Sequence, residues 1–378
     1  MSPRRTPPSV NRAEVRLGAF RRNLARIRSR LSPGARILLV VKSDAYGHGM
    51  VPMARAAARD ASVVYFGVAA PEEAMTLRDS GFRKPVLLLA PAHPDWTAPL
   101  IRAGITFSVS SAEEGARLDR AARRLGRRVK LHAEVDTGMG RLGEDHRRAL
   151  AFLFSLHKLK SVELEGAYTH FPGADQPDEA RTQRQVRIFQ MAVELFRDMH
   201  PASLRYAHAA NSAGLFRFRS AHFNLVRPGL SAYGVNPLGA GPDPGLEPVM
   251  SLTTRIAFLK TVEAGTCISY RSTYRTRGRS VIATLPIGYS SGYPVGLSNR
   301  SRVLIRGRSF PIAGRVTMDQ IMVDLGAWKG ARLWEEAVLI GASGRERITA
   351  EELARHAGTI SYEILCGIHP KVPRIYTP

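Results

Sequence analysis

Between residues 37 and 230 the chain repeats one pattern: a short apolar run, then a stretch with helical spacing. The runs are "ILLVVK" (37–42), "VVYFGVA" (63–69), "PVLLLA" (85–90), "TFSVS" (106–110), "RVKLHAEVD" (128–136), "VELEGAYTH" (162–170), "LRYAHAANS" (204–212) and "NLVRPG" (224–229). Runs of this length and β-branched content predict strands. The intervening segments carry helix punctuation. "PEEAMTLRDSG" has Pro71 in its first turn, Glu72 and Glu73 early, and Gly81 as a stop. "SAEEGARLDRAARRLG" opens with a Ser-x-x-Glu capping box, Ser111 to Glu114. Eight such units predict an α/β fold, a parallel (β/α)8 TIM-type barrel of about the usual ~250 residues. An open doubly wound sheet is the alternative, but no glycine-rich fingerprint follows the first run.

Near residue 236 the pattern changes. "NPLGAGPDPGLEP" is a Pro/Gly-rich linker. Beyond it, short stretches such as "RSVIATLPIG", "RVLIRG" and "DQIMVDLG" are closely spaced by turns, which predicts a mostly β C-terminal domain. The expected division is a disordered tail at 1–11, a barrel at 12–240 and a β domain at 241–378.

The composition narrows the function classes. At 378 residues and 44% hydrophobic, the chain can bury sizeable cores. No apolar run reaches the ~18 residues that span a bilayer. "MSPRRTPPSV" lacks the apolar stretch of a secretory signal. Cys267 and Cys366 show no metal or redox spacing. Together these read as a cytoplasmic protein without a membrane partner. The formal charge of +23 raises the question of a polyanion partner. Arginine, however, is spread along solvated helix faces, with no aromatic-interleaved basic motif, so no specific nucleic-acid role is expected. Only eight of the 55 basic residues are lysine, so a lysine in a special place is informative.

In a parallel barrel the active site lies at the C-terminal strand ends. Those ends hold Lys42, Asp136, Arg141 in the next loop, His170, Asn211, Ser212, Arg227 and Gly229. No His/Cys/Asp/Glu cluster resembles a metal site. A lysine there can attack a carbonyl cofactor. Alone, a strand-ending lysine is more often solvated, and a lone His170 is more often a core histidine; the convergence changes that balance.

The motifs "VVKSDAYGHG", "DTGMGRLG", "YTHF", "HAANSA", "VRPGLSAYG", "LPIGYSSGYP", "GRVTMDQ" and "TISYEILCGIHPKVPRIY" together resemble the alanine racemase family. The resemblance runs from about residue 12 to the C-terminus. It implies a homodimeric enzyme that uses pyridoxal 5'-phosphate (PLP) to interconvert L- and D-alanine, supplying D-alanine for peptidoglycan. Lys42 would hold PLP and act as one base. Tyr289, from the partner subunit, would be the other, since racemisation needs bases on opposite faces. Tyrosine is a poor base at its ordinary pKa of ~10, so nearby cations must help. Tyr46, Ser212, Gly229, Leu230 and Tyr362 would cradle the phosphate. Asn211 would join the cofactor contacts. Arg227 would face the pyridine nitrogen and keep it unprotonated, and His170 would link Arg227 to the second base. Arg141 would steady the cofactor and the substrate carboxylate. Met318 and Asp319 would lie by the substrate, also from the partner. Without the resemblance, "YSSGY" reads as an ordinary turn and Gly229 as part of one.

Three departures from the family pattern involve four positions. Many relatives carry a carbamylated lysine where Glu134 stands; a glutamate supplies that negative charge without CO₂ chemistry. Ser43 and Asp44 replace the frequent Ala and Asn, and the sequence offers no reason for the charge of Asp44. Thr317 stands where cysteine is frequent. A broader racemase acting on serine or basic amino acids shares the same scaffold. A non-catalytic PLP carrier would lack "LPIGYSSGYP" and "GRVTMDQ".

Overall fold

The structure, a computed structural model, describes residues 9–239 and 241–378. Two compact units emerge. Among the described residues, one spans 21–45 and 49–246, and the other joins 9–20, Tyr46–His48 and Glu247–Pro378.

The first unit is the expected barrel. Its strands are β1 (Arg36–Val40), β2 (Val63–Val68), β3 (Val86–Leu88), β4 (Thr106–Val109), β5 (Val129–Asp136), β6 (Val162–Tyr168), β7 (Tyr206–His208) and β8 (Leu225–Val226). They pair in parallel in the order β8-β1-β2-β3-β4-β5-β6-β7. The ends of this path approach each other where Arg227 N–H donates to the Ala210 carbonyl at 2.9 Å, so the barrel is nearly closed. Strands buried on both faces read as continuous apolar runs, and Ile37, Leu38 and Leu39 are fully buried. Helix Pro71–Asp79 starts with its proline in the first turn. Helix Ala112–Arg124 is capped by Ser111, which accepts the Glu114 N–H; the Glu114 carboxylate reaches back to the Ser110 N–H.

The second unit is mostly β. Its largest sheet contains Met250–Arg255, Arg302–Ile305, Arg308–Pro311, Glu336–Ser343 and Arg374–Thr377. This sheet also takes strand Arg12–Arg16, which pairs antiparallel to Met250–Arg255 and parallel to Arg374–Thr377. Residues 12–16, expected in the barrel, therefore pair elsewhere. The reason is visible in "RAEVR": Ala13 and Val15 are buried while their neighbours are partly exposed, the period-two alternation of a sheet with one solvated face. Of the expected tail, residues 1–8 lie outside the described residues, whereas Asn11 bonds Pro286 O at 2.8 Å and Thr254 Oγ1 at 2.6 Å. No helix among the described residues is long and apolar enough to cross a membrane.

Candidate active site

Lys42 sits two residues past β1, and the chain that follows it is unusual. Ser43, Asp44, Ala45 and Tyr46 all take left-handed backbone angles, with φ of 52–55°. Each such residue costs about 1–2 kcal/mol outside glycine. Specific bonds hold the turn. Ser43 N–H donates to Glu73 Oε1 at 2.5 Å, and the same carboxylate accepts the Ala69 N–H at 2.9 Å. Asp44 accepts the Gly49 N–H at its carbonyl and the Met50 N–H at Oδ1, 2.6 Å away. Asp44, unexplained from sequence, ties the turn to the start of helix Met50–Ala58. Gly47 closes the turn at φ +80°, and a Cβ there would meet the Leu365 carbonyl at 2.3 Å.

At the end of β5, the Asp136 carboxylate accepts three N–H groups: Gly138 and Met139, each at 2.8 Å, and Gly140 at 2.9 Å. These bonds shape the loop that carries Arg141, which is exposed. Glu134 is buried, and its Oε2 accepts the Tyr168 hydroxyl at 2.8 Å. Burial raises its pKa, against the pull of the Tyr168 bond and of the Arg227 and Arg141 charges. Glu134 thus brings a buried carboxyl group on which the Arg141 charge acts through space.

Past β8 lies Arg227, only 4% exposed. Its Nη1 donates to His208 Nδ1 at 2.9 Å. Its Nη2 donates to the carbonyls of Thr169 (2.8 Å) and Ala209 (3.1 Å) and to His170 Nδ1 (3.3 Å). The guanidinium lies 5.1 Å from the Tyr168 ring centre, and that ring stacks on His208. Burial lowers the Arg227 pKa to about 10, with Arg141 adding to the effect. His170 is pushed down to about 3, by burial first and then by Arg227, Arg141 and Lys42. It is a neutral imidazole at any physiological pH.

Ser212 opens helix Ser212–Arg217 after β7. Its Oγ accepts the N–H groups of Gly229 (3.0 Å) and Ser231 (3.3 Å), so Gly229 and Leu230 form a tight backbone turn beside a hydroxyl. Asn211, expected among the cofactor contacts, spends its amide on the fold. Its Oδ1 caps the Gly214 N–H at 2.9 Å, and its Nδ2 donates to Phe171 O at 3.2 Å.

The remaining residues belong to the second unit. Tyr289 and Met318 are 45% and 55% exposed. Their backbones are bound together: Tyr289 N–H donates to Thr317 O at 3.1 Å and Ser290 N–H to Met318 O at 3.0 Å. Asp319 Oδ1 accepts the Ser290 hydroxyl at 2.7 Å. Tyr46 and Tyr362 have ring centres 5.8 Å apart.

Sequence reasoning missed His132, Tyr168 and His208, all buried around Arg227, and Glu165 behind them. A signal existed. In "LHAEVD", His132, Glu134 and Asp136 recur with period two inside an apolar strand, and a polar face on a buried barrel strand must point to polar partners.

Comparison with known proteins decides the family. The profile described as "Alanine racemase, N-terminal domain" matches residues 15–237, and "Alanine racemase, C-terminal domain" matches residues 249–376. The chain belongs to the alanine racemase family. An alanine racemase of Symbiobacterium thermophilum is 44% identical over 96% of both chains. One from Geobacter sulfurreducens is 42% identical over 96% of both. Among solved structures, the alanine racemase of a D-cycloserine-producing Streptomyces lavendulae superposes with a TM-score of 0.91 at 36% identity, covering 99% of this chain and 98% of that one. The Bartonella henselae alanine racemase, described with covalently bound pyridoxal phosphate, gives 0.88 at 27% identity over 98% and 100%. The fold agrees with these neighbours: a barrel of eight parallel strands followed by a mostly β domain.

Proposed function

We propose that this chain interconverts L- and D-alanine, using PLP and two bases, in a cytoplasmic homodimer whose sites are shared between copies. The observation that carries this reading is the setting of Arg227. Its guanidinium is buried at the C-terminal end of the barrel, and each partner named for it above is a neutral acceptor. Such a cation resists protonation of a ring nitrogen beside it. The rest of the donor set also fits PLP: a lysine at the end of β1, and a hydroxyl with the Gly229–Ser231 backbone as an anion cradle.

When bound, PLP withdraws electrons from the bond between the substrate's α-carbon and its hydrogen. The protein's own residues do the rest. Lys42 Nζ would hold the cofactor covalently at rest and, once the substrate's amine has replaced it there, would move a proton on one face. Tyr289 Oη, from the second copy, moves it on the other. Arg141 holds the substrate carboxylate. Ser212 Oγ, the backbone of Gly229 and Leu230, and the hydroxyls of Tyr46 and Tyr362 hold the phosphate. His170 accepts from Arg227 at Nδ1, so its proton sits on Nε2 and is available to orient a hydroxyl. Met318 and Asp319, from the second copy, lie by the substrate, and Glu134 supplies the negative charge that relatives obtain from a carbamylated lysine. D-Alanine made in this way feeds peptidoglycan.

The test is direct. Purified protein with PLP is incubated with L-alanine, L-serine and L-lysine, and the products are separated by chiral chromatography. D-Alanine as the dominant product is expected. Comparable D-serine or D-lysine would favour the broader racemase, and no D-amino acid at all would reject the function. Borohydride reduction followed by peptide mass analysis is expected to place the cofactor on Lys42.

A further inference from the structure

Arg227 can only donate hydrogen bonds, because a guanidinium has five N–H groups and no acceptor. That property orients everything behind it. Arg227 donates to Nδ1 of His208, so the proton of neutral His208 is on Nε2. Nε2 faces Nδ1 of His132 at 2.8 Å, so His132 accepts there and carries its own proton on Nε2. That nitrogen faces Glu165 Oε2 at 3.4 Å. The bonds therefore run in one direction, from Arg227 through His208 and His132 to Glu165.

Both imidazoles are fully buried. Both pKa values are lowered, in each case chiefly by burial. Arg227 and then His132 add to the effect on His208, while Glu165 opposes it at His132. Neither ring is a cation. Glu165 is 3% exposed yet ionised: its bonds from His132, Lys130 and Tyr65 outweigh burial and bring its pKa down to about 2. A buried carboxylate is expensive, and apolar side chains would fill the same space at lower cost. Nothing in the reaction described above uses His132 or Glu165.

We propose that Glu165 is a positioning residue. Its carboxylate, acting through His132 and His208, holds the Arg227 guanidinium in one orientation. A negative end on this chain makes each imidazole a better acceptor for the donor before it. Without it, Arg227 keeps its carbonyl partners but loses the pull that fixes its fork.

The consequence for catalysis rests on the racemase reading; the direction of the chain does not. Both are measured. With ¹⁵N-labelled histidine, long-range ¹H–¹⁵N spectra of the wild-type protein are expected to show His132, His170 and His208 neutral, with the proton on Nε2, from pH 6 to 8. Glu165→Gln keeps the shape but removes the charge. It is expected to shift the His132 and His208 ring nitrogens and to lower kcat about tenfold, with KM within about twofold. It should also raise the ratio of pyruvate formed by transamination to alanine racemised, a partition that a mere loss of stability would not move. A wild-type His208 protonated on Nδ1 or on both nitrogens would overturn the proposal. So would a folded Glu165→Gln protein with unchanged kcat and partition. If that variant does not fold, the wild-type tautomers alone decide. A protein without racemase activity would reject the function, while the spectra would still decide the direction of the chain.

Discussion

Arg227 and Tyr289 are assigned to the same reaction, yet the protein treats their side chains in opposite ways. Arg227 is 4% exposed and makes four hydrogen bonds within the barrel unit, two to carbonyls and two to histidines. Tyr289 is 45% exposed, and its loop is held by backbone bonds to Thr317 and Met318. The barrel residues are preorganised by their own unit: a fork, a stacked ring and a chain of imidazoles leave Arg227 little freedom. In the β unit the backbone is fixed and the side chains Tyr289, Met318 and Tyr362 are left at the surface. The contrast is what a site completed by a second copy requires, since a two-fold interface needs its contributing side chains outward.

The strongest way to break this comparison is to separate the two sets. Lys42→Ala and Tyr289→Phe are each expected to abolish racemisation. When their subunits exchange, half of randomly paired dimers are mixed, and each mixed dimer holds one intact site of two. About a quarter of wild-type activity should return. A mixture that stays inactive, with exchange shown by tags, would place both bases in one chain.

Arg227→Lys retains the charge but replaces a planar fork with a single point. Its kcat/KM is expected to fall about 100-fold, with more pyruvate formed, because the guanidinium's four acceptors cannot all be reached. Unchanged kinetics would show that the fork is dispensable.

The caged histidines also set an acid limit. His132, His170 and His208 are held neutral in the folded state, below the ordinary imidazole value near 6.5. The unfolded chain therefore binds more protons below that pH. Stability is full above about 6.5 and falls as pH drops, with a limiting slope of about 1.4 kcal/mol per pH unit from His170 and a loss of the same sign from His132 and His208. Denaturant melts between pH 7 and 5 should show this steep loss. A flat profile would mean that these rings are charged in the folded protein.

Asp136→Ala removes the acceptor for three loop N–H groups and should loosen Arg141. KM for alanine is expected to rise about tenfold, with kcat changed less than about threefold. The smallest effect is a null one. With Glu134 as a built-in carboxylate, activity should not respond to CO₂ depletion, and a carbamylated active-site lysine seen by mass spectrometry would refute this.

Much of the fold was legible because buried parallel strands announce themselves. The run "ILLVV" has no polar side to hide, and seven more runs follow it. Strand Arg12–Arg16 was assigned to the wrong unit because its partners at 250–255 and 374–377 are distant in sequence, although its alternation marks a half-solvated sheet. Lys42 and Arg227 were legible because rare or charged residues at strand ends stand out. Asn211 stands out only through its motif; the structure adds that its Oδ1 caps a helix, which no local pattern announced.

The sequence by itself determined the strand and helix periods, the strand ends where polar residues gather, and the supply of one lysine at the end of the first run. Only the tertiary structure decided what those residues do to one another. Burial made His170 neutral, two hydrogen bonds turned the exposed Asp44 into a turn lock, and strand packing joined Arg227 to Glu165 through two imidazoles. The reason is physical. Periodicity is a local property that a chain of side chains carries with it. Hydrogen-bond direction and desolvation exist only once strands far apart in sequence, such as β5, β6, β7 and β8, stand side by side.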